Sequence, residues 1–253
     1  ILKGNENIFY DFSNTIKPNL IEPQKINFDV IYEDEYLAII NKPAGLVVHP
    51  GNGTPNGTLA NALVFHFNDL SKLNDNAPGI VHRLDKETSG IMLIAKKDEV
   101  HNYLSKQFES RTIKKVYRAI VWGKIKESGS IKGFIARDRK NRTIFSMQSK
   151  GRDSETAFKI INNYDPLSYV ELYPKTGRTH QIRVHLKSIS NPIICDESYG
   201  GGINKIKSFH IKHTTILNKI FQTINRVALH AYSIEFIHPF TKEKNKFYAP
   251  IPE

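Results

Sequence analysis

The chain has 253 residues, 40% of them apolar and 24% charged, which allows a sizeable core and argues against general disorder. Lys and Arg total 36 against 25 acids, a formal net charge of +11 that favours a polyanion partner, nucleic acid first and an acidic membrane surface second. The single cysteine, Cys195, excludes an intrachain disulfide and a Cys-based zinc site and suits a reducing, intracellular compartment.

No apolar stretch approaches the ~18 residues that span a bilayer, and ILKGNENIFYDF lacks the basic-then-apolar order of a secretory signal. Residues 1–25 are polar, Asn-rich and broken by Pro18 and Pro23; they read as a linker or the tail of a preceding small domain. VIYEDEYLAIINKP reads as two β-rich pieces about the acidic turn Glu33-Asp34-Glu35, stopped by Pro43. The Gly- and Pro-rich PAGLVVHPGNGTPNG is a loop, and TLANALVFHF is a helix with Thr58 placed to cap it.

GIVHRLDKETSGIMLIAKK then sets a charged insert between two apolar runs. DEVHNYLSKQFESR predicts a helix over 98–111, with Asp98 as N-cap and Tyr103, Leu104 and Phe108 as its apolar stripe. KKVYRAIVWGK, GSIKGFIARD, ETAFKIINNY and YVELYP alternate as strands. THQIRVHLKSIS has helical periodicity, and RVALHAYSIEFIHPFTKEKNKFYAP closes the chain as a hairpin turning at Pro239 to Lys244. Strands dominate and helices are scattered, which predicts an α+β fold on a largely antiparallel sheet.

Three segments hold candidate chemistry. Asp85, in the charged insert, is either a turn-capping residue or a functional carboxylate, with Arg83 before it and the donors of Thr88-Ser89-Gly90 after it. PKTGRTHQIRVHL places Arg178, His180 and Arg183 around a helix start, either as a basic surface helix or as one Arg aimed at a carboxylate with others on phosphates. Tyr117 lies in an alternating strand, where Tyr is also common as core filler. The 10 His residues form no HExxH or compact cluster, so no metal site is expected. A GxxxxGK[ST] or GxGxxG phosphate loop and a GxSxG nucleophile setting are likewise absent.

HRLDKETSG, KKVYRAIVWGK, PKTGRTHQIRVHL, NPIICDESYGG and ALHAYSIEFIHPFTKEKNKFYAP resemble, in this order, the motifs of RluA-type pseudouridine synthases, over roughly residues 28 to 252. The resemblance implies a catalytic domain over 26–253, with residues 1–25 as a linker or the remnant of an S4-like RNA-binding domain. It implies a mixed, largely antiparallel central sheet with flanking helices and an RNA-binding cleft. It also implies isomerisation of uridine to pseudouridine without metal or organic cofactor.

By that resemblance Asp85 is the catalytic carboxylate, Arg183 its basic partner and Tyr117 the active-site tyrosine. Arg83 is the residue that enters the RNA stack where the base leaves, and His82, Lys175, Arg178 and His180 join it on the RNA. The expected partner is RNA, ribosomal RNA of the large subunit first and transfer RNA second, in the cytoplasm, with no membrane or protein partner implied. A non-catalytic RNA-binding protein on the same fold, and a metal-dependent phosphodiesterase using Asp85 and nearby His, are the competing readings. Apolar walls from GIV and IMLIA are expected around the charged insert. Cys195 stands where the family usually has Gly before an Asp, which puts the local backbone in question.

Overall fold

The computed structural model describes residues 21–51 and 53–252, so most of the segment read as a linker or domain tail lies outside the described residues. Its last part is tied to the domain. The Gln24 N–H donates to Asn61 O, Gln24 Oε1 accepts from the Gly57 N–H, and Asn61 Nδ2 donates to Glu22 O.

The described chain forms β1 (Asp29–Glu33), β2 (Leu37–Lys42), α1 (Leu59–His66), β3 (Ser89–Ala95), α2 (Asp98–Glu109), β4 (Lys114–Trp122) and β5 (Gly129–Arg137). It continues through β6 (Phe145–Gln148), β7 (Arg152–Tyr164), β8 (Leu167–Pro174), α3 (Gln181–Ser188), α4 (Thr214–Ile224), β9 (Leu229–Ile237) and β10 (Lys244–Tyr248). The strands make one sheet in the order β1-β2-β3-β9-β4-β8-β7-β5-β6, with β10 pairing β9. Every named pairing is antiparallel except that of β3 with β9. This is the α+β, mixed and largely antiparallel architecture that the sequence implies.

The run SGIMLIA lacks a polar alternation because β3 is buried along its whole length. Its Ile91, Met92, Leu93 and Ile94 pack with Leu59 and Leu63 of α1 and Val100 and Leu104 of α2. Each such side chain contributes roughly 1.5–3 kcal/mol through burial. A second cluster gathers Val121 and Trp122 of β4, Val170 and Leu172 of β8, Ile182 and Leu186 of α3 and Leu217 of α4. Tyr117 packs against both clusters and stands at their seam.

One glycine makes the central junction possible. Gly90 has φ +114, and a Cβ there would lie 2.3 Å from Ala231 O on β9. Only a residue without a side chain lets β3 meet β9 at this point.

Several expected boundaries shift. Lys97, not Asp98, is the N-cap of α2; the Asp98 carboxylate instead accepts from Ser71 Oγ and the Lys72 N–H, pinning the preceding loop. Thr58 does cap α1, its backbone N–H and hydroxyl both donating to Asn61 Oδ1. β6 and α4 have no counterpart among the expected elements. β6 is only four residues long, and the start of α4 follows a mixed run of Ile, Lys and His from 203 to 213 that hides its period. Among the described residues no helix is long and apolar enough to cross a membrane.

Candidate active site

The charged insert is the loop that feeds β3, and the core behind β3 anchors it. Lys42, at the end of β2, is fully buried with its amine donating to Pro43 O, Leu46 O and Lys86 O. Burial pulls the Lys42 pKa down to about 8, against the opposing charges of Glu87 and Asp85. A lysine that gives up water for three carbonyls fastens the peptide immediately after Asp85. The Thr88 N–H donates to Asp85 O and closes the turn. The Thr88-Ser89 hydroxyls, expected to orient the carboxylate, are not its donors here: Ser89 Oγ turns to His230 Nδ1 at 2.9 Å and Arg226 Nη1 at 3.2 Å.

Asp85 therefore projects its carboxylate, 23% exposed, toward α3. Arg183 Nη1 approaches Asp85 Oδ2 at 3.5 Å, and His180 Nε2 approaches Oδ1 at 3.9 Å. The expected Asp85–Arg183 pairing is thus present, but the guanidinium fork lies elsewhere. Arg183 Nε and Nη2 each donate to Asp196 at 2.8 Å, an ion pair whose side chains are 8% and 1% exposed. Burial works against the Arg183 charge, yet the hydrogen bond and charge of Asp196, and then Asp85, hold its pKa above the usual value. The residue was expected on a basic surface helix or aimed inward; α3 is buried from Gln181 to Leu186, and inward it points.

Asp196 is the partner of Arg183 that the sequence does not single out. It sits in a tight turn in which Cys195 N–H donates to Gly201 O and Gly201 N–H to Asp196 O. Cys195 has φ 62, in the left-handed region, which explains why the resembling family places Gly there and what a side chain must tolerate. A Cβ on Gly201 would stand 1.7 Å from Ile193 O, so the turn closes only around glycine at that position. Tyr199, one step on, lies under the guanidinium, its ring centre 4.7 Å from Arg183 Cζ.

The same tyrosine sets His180. Its hydroxyl accepts from the Phe145 N–H at 3.0 Å and meets His180 Nδ1 at 2.8 Å. This contact fixes the ring so that Nε2 faces Asp85. Burial lowers the His180 pKa, with Asp85 opposing it, so the ring is neutral at ordinary pH. His180 has φ 55 and caps α3 from outside rather than riding its face. An RNA-contacting role was expected for it; the structure sets it beside the carboxylate.

All eight expected site residues line one cavity of about 1130 Å³: His82, Arg83, Asp85, Tyr117, Lys175, Arg178, His180 and Arg183. Tyr117 enters from β4, and burial first, then Asp85, push its phenol pKa well above the ordinary value. Arg83 is exposed and bonds His49 Nε2 through Nη1 at 2.9 Å. Lys175 is exposed and pairs with Glu155 at 2.7 Å, and Arg178 Nε donates to Asp153 O.

His82 lines the cavity while its ring is bonded to the core strand behind it. Its Nε2 accepts from the Leu93 N–H, and burial, helped by Lys115, pulls its pKa to about 3, so it brings structure rather than charge. IMLIA does not form the cavity wall; Val81, Leu84, Ile113, Val116, Ile182 and Leu229 do, and IMLIA is the core behind them. Among the described residues no three His, Cys, Asp or Glu side chains are grouped to hold a metal ion.

Comparisons with known proteins place the family and the fold. The RNA pseudouridylate synthase family profile matches residues 36–188. The ribosomal large subunit pseudouridine synthase D of Neisseria meningitidis serogroup B is 41% identical over 231 residues, 91% of this chain and 60% of that protein. Its namesake in Haemophilus influenzae is 37% identical over 232 residues, 92% of this chain and 70% of that protein. Two solved human structures, RNA Pseudouridylate Synthase Domain Containing 1 and 4, share the fold with TM-scores of 0.67 and 0.66 at 23% and 24% identity. They align over 88% of this chain, and over 83% and 88% of their own. The chain belongs to the RNA pseudouridylate synthase family.

Proposed function

We propose that the protein isomerises uridine to pseudouridine in ribosomal RNA of the large subunit, in the cytoplasm, with Asp85 as the catalytic carboxylate. One observation carries the reading: the Asp85 carboxylate is placed between Arg183 and His180 on the wall of a cation-lined cavity that Tyr117 also enters. The names of the relatives supply the substrate class.

The reaction breaks the bond between N1 of uracil and C1′ of ribose, turns the base, and joins C5 to C1′. The C5 proton leaves and N1 gains one, so no redox change occurs. A carboxylate serves this chemistry if it stays charged and aimed. Because the fork is committed to Asp196, Arg183 offers Asp85 one long contact. The oxygen is thereby steered without being tied into a strong bidentate bond. His180 Nε2 faces the other oxygen and limits its rotation.

A stacked base cannot reach this recess, so the nucleotide must leave the helix, at a cost of a few kcal/mol. Stacking on an aromatic ring returns ~1–3 kcal/mol, which is the part we assign to Tyr117. Its raised pKa keeps the phenol protonated, so it is a platform and hydrogen-bond donor rather than a resting base. Arg83, exposed at the cavity mouth, fills the space that the base vacates. Lys175 and Arg178 contact phosphates, which position an RNA without reading its sequence.

The test is to map pseudouridines in cellular RNA with and without this protein. Loss of defined positions in large-subunit ribosomal RNA supports the proposal. Loss confined to transfer RNA would overturn the substrate, and an unchanged map would overturn the activity.

A further inference from the structure

Four cations of the cavity, Arg111, Lys114, Lys115 and Lys246, are left unused by the roles above, and of these Lys115 alone is half-buried while the others are exposed. Lys115 lies two residues before Tyr117 on β4, so both side chains project from the same face of the strand. The irregularity beside them falls on β9, where Val116 pairs with Ser233 and Tyr117 with Ala231, so the alternation of β4 is intact. Both residues line the cavity of Asp85.

The surroundings of this amine differ from those of its neighbours. Lys114 pairs with Glu235 at 3.4 Å, Lys175 with Glu155 at 2.7 Å and Lys244 with Glu235 at 2.8 Å. Among the described residues no carboxylate lies within salt-bridge distance of Lys115 Nζ. Phe108 presents its ring with the centre 5.8 Å away, His82 on the same wall is uncharged, and a Cβ on Gly177 would lie 3.9 Å off. Desolvation lowers the Lys115 pKa with no opposing charge to offset it. A half-buried ammonium without a partner is a cost to the fold. An anion arriving from outside would remove that cost.

We infer that Lys115 seats a phosphodiester oxygen of the everted nucleotide, against the Gly177–Arg178 turn and beside Tyr117. The spacing suits the ligand. Residues two apart on a strand are separated by roughly 6.6 Å, a reach of the same order as that from a uracil ring to its own phosphate. One side of β4 then holds both ends of the target nucleotide, the base on Tyr117 and the phosphate on Lys115. Phosphate contacts elsewhere on the protein fix the RNA helix; this one exists only once the nucleotide has left it.

The inference rests on the isomerase reading, and its test separates the two. Mapping supplies a stem-loop containing a uridine that the wild-type protein isomerises. A set of such RNAs is made, each with one neutral methylphosphonate within two nucleotides of that uridine. For the wild type, one position should lower kcat/KM by about tenfold, the loss of one charged contact. Lys115→Gln should lose about as much on native RNA, lose nothing further at that position, and remain folded by circular dichroism. Lys115→Arg should restore most of the loss.

Multiplying losses at every position, or an unchanged kcat/KM for Lys115→Gln, would overturn the phosphate subsite while leaving the isomerase in place. A wild-type protein inert on RNA would overturn the isomerase reading and the subsite with it.

Discussion

Arg183 grips Asp196 with Nε and Nη2, each at 2.8 Å, leaving Nη1 alone for Asp85 at 3.5 Å. The buried pair behind the site is therefore the tighter one, and the pair at the cavity surface is the looser. A guanidinium fixed from behind keeps its position whether or not the front carboxylate is engaged with substrate.

Asp196→Asn tests that support. Removing one charge from a buried pair typically costs about 3–5 kcal/mol. Part of this is recovered because Asn still accepts one hydrogen bond, so we expect a loss of roughly 2–3 kcal/mol and a melting temperature lower by roughly 4–12 °C. The rate at saturating RNA should fall with little change in RNA affinity, since Asp196 lies behind Arg183 and outside the cavity. Thermal unfolding and single-turnover rates measure both; a variant as fast and as stable as wild type contradicts the positioning role.

Lys42→Met asks whether the Asp85 loop is held from beneath. Met fills similar space but abandons three carbonyls, Pro43 O, Leu46 O and Lys86 O. Leaving buried acceptors without a donor costs about 1–3 kcal/mol each. Urea unfolding should register a loss of at least about 2 kcal/mol, and the rate should drop because Lys86 O neighbours Asp85. Equal stability with full activity would show that the loop holds itself.

Acid stability follows from the buried histidines. Burial pulls His185 and His230 down to about 4, below the ~6.5 of an unfolded chain. The unfolded state then binds the extra protons, so their contribution is complete above pH ~6.5 and is lost as pH falls toward their folded values. Between pH 7.5 and 5.5 His185 and His230 together should remove roughly 2–3 kcal/mol, and His82, pulled down to about 3, roughly half as much again. Urea titrations at the two pH values check this, and a flat profile would contradict it.

Much of the site is legible in the sequence because its residues lie in long contiguous motifs: Asp85 in HRLDKETSG, Tyr117 in KKVYRAIVWGK, Arg183 in HQIRVHL. What the motifs do not carry is depth. Lys42 in INKPAG reads as the polar end of a strand, since lysine is ordinarily exposed, and only the packed loop reveals it as buried. Asp196 is visible in NPIICDESYGG, but its bond to Arg183 depends on how a left-handed turn at Cys195 aims a side chain across to α3. His180 reads as part of a helix, whereas its positive φ takes it off the helix and onto Asp85. The fold class follows from strand alternation, but the parallel β3–β9 junction is a long-range pairing that no local pattern encodes.

The most direct test concerns the carboxylate itself. Asp85→Asn keeps the shape of the side chain and removes its charge, so RNA affinity should stay within a few-fold of wild type while pseudouridine formation in a single turnover falls below detection. Pseudouridine formed by this variant at a rate near that of the wild type would contradict the account.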